Sequence, residues 1–156
     1  MIRTADYLSK SVLLTFNSAA LAASSFQQTI YVNEFQPDVL IVREVIYKDS
    51  NAANTPGVYT VNSDLVGNQK MFSFPALNAT TNIQVMHPKS VFDMRTLTPG
   101  VNGHYIFRIQ DSSGAVASLQ LEMSVLLEFR KYLPPNEVAN AKGVAGGSEA
   151  SSQQLR

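Results

Sequence analysis

Few residues in this chain could do chemistry, and their spacing argues against each chemistry in turn. The histidines are His87 and His104. The small-molecule-binding members of the double-sheet class use a His-x-His pair with a glutamate and a further histidine to hold a metal. Neither histidine has such company: His87 precedes Pro88 and His104 follows Gly103, and both read as exposed or interfacial residues. Ser90, His87 and Asp93 contain the side chains of a hydrolytic triad, but no Gly-x-Ser-x-Gly elbow presents the serine, and three common residues close in sequence define no geometry. Glu122 and Glu128 would share one side of an extended strand, six residues and thus about 20 Å apart. A glycosidase pair needs roughly 5–9.5 Å, so they read as surface or interface charges. Glu44 beside Arg43 is expected on the opposite face of a strand from its neighbour and is read as structural. Asp49, Asn51 and Asn54 offer oxygen ligands of the calcium type from one loop, without the EF-hand spacing and in residue types that also make ordinary turns. Pro99-Gly100-Val101-Asn102-Gly103 lacks the Lys-Ser/Thr of a phosphate loop and leads into a strand, so it is a turn. The chain has no cysteine, which excludes disulfides, thiolate chemistry and cysteine-based zinc sites. The expectation is a protein that is not an enzyme, with no catalytic residues, no cofactor and no metal.

The elements behind these residues are short runs broken by turn residues. Leu119, Leu121, Met123, Val125, Leu127 and Phe129 occupy every second position, with Gln120, Glu122, Ser124, Glu128 and Arg130 in most of the gaps. Period two over that length predicts a long strand with one face in the core; Leu126 interrupts its polar side. Tyr105, Phe107 and Ile109 alternate with His104, Arg108 and Gln110 in the same way. Asp111-Ser112-Ser113-Gly114 lies between the two runs, with Asp to bond its own backbone and Gly to take a positive φ. The expectation there is a hairpin. Val39–Tyr47 is β-branched and apolar except at Arg43 and Glu44, as suits a central strand covered on both faces. Shorter strands are expected at 12–16, 29–32, 57–61, 70–74, 82–86 and 91–95, and a short helix at 18–25. Phe72, Phe74, Tyr105 and Phe107 have strand spacing and belong in the core. Prolines sit between the runs, because proline cannot donate to a sheet ladder. About eight strands at this spacing make an all-β sandwich or barrel.

The chain has 156 residues, 45% of them apolar, and only 15% are charged, against a usual charged share of about 25%. A surface meant to be covered would show this, as would a Ser/Asn/Gln-rich β surface. Twelve basic residues balance twelve acidic ones. The first ten residues hold only Arg3 and Lys10, with Asp6 between them, and Arg130-Lys131 is the densest basic spot, which argues against direct contact with nucleic acid. Residues 11–23, ending Ala-Leu-Ala-Ala, have the outline of a signal peptide, but Asp6, Thr15, Asn17 and Ser18 speak against one. No run approaches the roughly 18 apolar residues of a membrane helix. Asn78-Ala79-Thr80 is a sequon. Pro134-Pro135 ends the domain, taken as 1–133 with 1–25 as an arm and first strand. The stretch 134–156 is a low-complexity tail with too little apolar surface to offset its own ordering, either mobile or laid along a partner.

Tyr105 to Gly114, followed by the long strand closing in Leu126-Leu127-Glu128-Phe129, resembles the end of single jelly-roll capsid proteins, of the penton and minor capsid type, from icosahedral DNA viruses and tailless phages. The resemblance covers about 30 residues, Asn102 to Tyr132. It implies an eight-stranded jelly roll in a virion, assembled in the host cell as a homo-oligomer, with a pentamer as one such state, and touching neighbouring capsid proteins. The family has no catalytic residues to carry over. A jelly-roll receptor- or carbohydrate-binding module, such as a spike or fibre head, is the alternative.

Overall fold

The computed structural model describes residues 6–32, 35–51, 54–77, 82–97 and 103–134. The sequon, the turn residues 99–102 and nearly all of the tail lie outside them. Among the described residues there are nine strands: β1 (Tyr7–Asn17), β2 (Ser25–Thr29), β3 (Val39–Asp49), β4 (Gly57–Ser63), β5 (Gln69–Ala76), β6 (Gln84–Met86), β7 (Val91–Asp93), β8 (His104–Gln110) and β9 (Leu121–Tyr132). One 3-10 turn, Asp64–Val66, links β4 to β5, with Ser63 accepting the Leu65 N–H at its start.

The strands form two antiparallel sheets, ordered β1-β9-β3-β6 and β2-β8-β4-β5. The short strands β6 and β7 pair with successive stretches of β3, at Val45–Tyr47 and Val39–Ile41. They are two halves of one interrupted strand, which leaves eight strand positions. Every connection then crosses between the sheets except β4 to β5. That alternation defines a jelly roll, two Greek keys wound into a sandwich, as expected.

Period-two patterning builds the core as anticipated. Leu119, Leu121, Met123, Val125, Leu127 and Phe129 are all buried, as are Phe72, Phe74, Tyr105 and Phe107. Leu14 and Phe16 of β1 join them, with Phe16 stacked 5.0 Å from Phe26 and 5.2 Å from Phe107.

Several expectations need correction. The two C-terminal strands are not a hairpin. The turn returns only to Ala117, whose N–H reaches the Ile109 carbonyl at 3.0 Å. Both edges of β8 are already taken by β2 and β4, so the chain crosses at Leu119, bridged to Ala23, and enters the other sheet. The early strand lies at Ser25–Thr29 and not at 29–32; Ile30 and Val32 are buried beyond its end. Residues 18–25 form bends and a bridge in place of a helix. Pro75 lies inside β5 rather than between strands, on a sheet edge, where proline is tolerated. Finally, β3 is covered on both faces only at Leu40, Ile41 and Val42.

Beyond Val42 the ladder shifts register against β9, with Arg43 as the extra residue of a bulge. A bulge sets two consecutive residues against one and re-aims both. Glu44 therefore stands opposite Leu126 on the outer face, and Arg43 reaches Glu128 on that same face. The two are not on opposite sides, as plain alternation implied.

Candidate functional site

The residue sets singled out for chemistry are placed as follows. His104 shares a hydrogen bond with Thr29 Oγ1 at 3.0 Å, and His87 lies 3.7 Å from Glu44. Ser90 contributes its carbonyl to Val42, while Asp93 is engaged by both Nε and Nη2 of Arg95. Those hydrogen bonds hold the Asp93 carboxyl down at about 2. The Asp93 carboxylate is thus paired with Arg95, and His87 lies near Glu44 rather than between Ser90 and Asp93. The Asp49–Asn54 loop is tied to the rest of the chain by hydrogen bonds. Asp49 accepts from the Leu77 N–H at 2.8 Å, and Asn51 donates to the Gln120 side chain. Asn54 clamps the Gln120 backbone from both sides, accepting from its N–H at 3.0 Å and donating to its carbonyl at 2.7 Å. Among the described residues no three His, Asp or Glu side chains gather as a metal would require.

The carboxylates of β9 behave differently from the sequence reading. Glu122 is half exposed and lies 3.5 Å from Lys48. Glu128 is no surface charge: it is 7% exposed. It sits among Arg43, Arg130 at 2.6 Å and the Ser9 hydroxyl at 3.2 Å. Burial alone would raise the Glu128 carboxyl, but hydrogen bonds from Arg130 and Arg43 outweigh it, and the net shift is downward. Arg130 in turn lies 4.2 Å over the Tyr7 ring. The bulge at Arg43 brings the second guanidinium into this network, and a bulge leaves no mark in an apolar periodicity.

This network belongs to a larger surface, the outer face of the β1-β9-β3-β6 sheet. Register places Leu13 opposite Leu126, and Thr15, Ser124, Ile46 and Val85 in the next row across four strands. Leu13, Val85 and the neighbouring Ile83 are each more than half exposed, and Ile46 is 39% exposed. Such residues singly are ordinary on a surface; here they are staggered over two adjacent rows of one face, Leu13 with Leu126 and Ile46 with Val85. Between Leu13 and Ile46 lies a shallow hollow of about 290 Å³ over Thr15 and Ser124, walled by Ile46, Ile83, Lys48 and Glu122. A second hollow of about 370 Å³ opens at the end of the sandwich. Its floor is Leu65, Met94, Leu97 and Tyr105, and Arg95 and Lys131 stand at its rim. No described helix is long and apolar enough to cross a membrane.

No protein-family model matches the chain, and no curated protein matches it. Among solved structures the chain is similar to the arabinose-bound MgGH51 α-L-arabinofuranosidase, with a TM-score of 0.39 and 14% identity over 76% of this chain, which spans 19% of that one. Viral capsid proteins are also among its structural neighbours. The Desmodium yellow mottle tymovirus structure matches with a TM-score of 0.33 and 8% identity, covering 86% of this chain and 92% of that one. The cyanophage Pam1 capsid asymmetric unit matches at 0.34 and 18% identity, covering 83% and 86%. Scores of this size say nothing of what this chain does.

Proposed function

We propose that the chain is a structural virion protein, a capsid subunit of penton type that assembles through protein–protein contacts and performs no catalysis. One observation carries this reading: the exposed apolar side chains Leu13, Ile46, Val85 and Ile83, with half-buried Leu126, lie on the outside of a finished jelly roll. The core is already closed beneath it, so this second apolar layer has no folding role. Its use is to be covered. Jelly rolls recur in virus shells and in lectin domains, an analogy of fold that raises the shell reading without deciding it. In this reading residues 1–133 form the jelly-roll domain, and the tail from 134 onward lies along neighbouring subunits in the particle.

Light scattering on size-exclusion fractions, with native mass spectrometry for copy number, tests the proposal. Closed oligomers are expected, and a five-fold species would support the vertex role. A single monomeric species from micromolar to millimolar concentration would overturn it.

A further inference from the structure

We propose that the outer face of the β1-β9-β3-β6 sheet seats a second copy of this chain, packed sheet on sheet about a two-fold axis. The inference rests on the assembly reading above and names the surface and the partner.

Charge selects the partner. Among the described residues, the ion pairs of this face run sideways, within the face. Arg43 and Arg130 hold Glu128, Lys48 holds Glu122, Arg95 holds Asp93, and Glu44 stands by His87. Four permanent cations thus meet four carboxylates. A face of zero net charge does not attract a polyanion or a strongly charged peptide. It accepts another face like itself, which brings no repulsion and strands no unpaired ion at the interface.

Area fits the same partner. Strands β1 and β9 run 11 and 12 residues. At about 3.4 Å per residue and about 4.8 Å between strands, four strands present a face of about 19 by 37 Å, roughly 700 Å². A stable specific pair buries about 800 Å² on each partner, so one such face nearly suffices.

Shape gives the symmetry. The ridge of Leu13 and Leu126 lies one row away from the hollow over Thr15 and Ser124, on the same two strands. A two-fold axis in the plane of the face, passing between those rows, lays each copy's ridge into the other's hollow. That is the isologous, self-closing kind of contact, and sheets pack face to face at about 10 Å in this way.

The absence of cysteine makes the test clean, because any introduced thiol is the only one in the full chain. Ser124→Cys lies on the face, and Val116→Cys is an exposed control beyond the β8 turn. With the axis between the two rows the paired Ser124 positions lie about 12 Å apart, from a row offset of about 7 Å and a sheet spacing of about 10 Å, so a bis-maleimide of about that span is expected to link S124C into a dimer and not V116C. The double variant Leu13→Lys/Val85→Lys changes only exposed side chains, and its melting curve should match that of the parent chain. Its dissociation constant should rise at least tenfold. If the parent chain associates while S124C fails to cross-link, or the double variant associates unchanged, the face is wrong and the assembly reading survives. Equal cross-linking of V116C would also overturn the face. A parent chain that stays monomeric overturns both readings.

Discussion

The two sheets share one core, yet their outer faces have opposite character. Outside β2-β8-β4-β5 the side chains are mostly neutral and polar, and they bond to one another. Asn62 donates to Gln110 at 2.5 Å, Thr29 meets His104 at 3.0 Å, and Arg108 reaches Asn68 at 3.4 Å. Outside β1-β9-β3-β6, paired charges frame exposed apolar side chains. Alternation along a strand puts a side chain outside, but only its chemistry says whether water or protein is meant to meet it. The difference between the faces is what makes one of them a candidate interface.

The largest expected effect tests whether the sheets are equivalent on the inside. Phe129 of β9 and Phe107 of β8 are both almost fully buried. Truncating either to alanine should cost about 3–5 kcal/mol of stability, read from denaturant midpoints. A large asymmetry between F129A and F107A would mean that one sheet carries the core.

A smaller effect should separate the faces. Glu128→Ala leaves Arg43, Arg130 and Ser9 without their acceptor. A hydrogen bond to a charged group contributes about 1.5–3 kcal/mol, and E128A should lose stability in that range. Asn62→Ala, on the polar face, removes a neutral bond to Gln110 and should lose about 0.5–1.5 kcal/mol. Equal losses would make the ionic network no stronger than the polar ladder.

The pH limits sharpen the same contrast. The Glu128 carboxyl is lowered in the fold. Its contribution is therefore fully present above the ordinary carboxylate range and is lost as pH falls through the lower folded value. Glu128→Gln should flatten the acid limb of the stability curve. Tyr47 is pushed up to about 12, first by burial and then by the nearby Asp49, and its hydroxyl donates to the Pro75 carbonyl at 2.8 Å. A raised value makes the neutral phenol the form the fold prefers. Stability is intact below the ordinary tyrosine range and is lost as pH rises toward 12. Tyrosinate absorbance should show a late-titrating component to which Tyr47 and Tyr59 both contribute, since burial raises both, and Tyr47→Phe should remove part of it.

The sequence revealed the sides of strands better than their neighbours. From Leu119 to Phe129 the inward set was readable residue by residue, because period two reports which side of the ribbon is dry. Nothing in that period names the strand alongside, so a tight turn at Asp111–Gly114 was taken for a hairpin that the two edges of β8 forbid. Strand β2 was misplaced because Ser25-Phe26-Gln27-Gln28-Thr29 offers a single apolar residue, while Ile30 and Val32, buried beyond its end, carried the stronger signal. Glu128 was read as a surface charge because its partner Arg43 is 85 residues away and arrives through a bulge. The exposed apolar set was missed for a similar reason. Leu13, Leu126, Ile46 and Val85 lie on four strands, and only register assembles them.

The smallest expected change in folding stability is the most telling for function. Leu13 and Val58 are both well exposed, at 65% and 55%, one on each kind of face. Replacing either with threonine removes little buried area, so both should keep their stability within about 0.5 kcal/mol. Association should respond at one position only. L13T takes an apolar knob from this face and should weaken self-association, measured by sedimentation across concentration. V58T stands on a face already satisfied by its own polar bonds and should leave association unchanged. Weakening by both alike would mean that general surface hydrophobicity drives the contact. Weakening by V58T alone would move the interface to the four-stranded sheet.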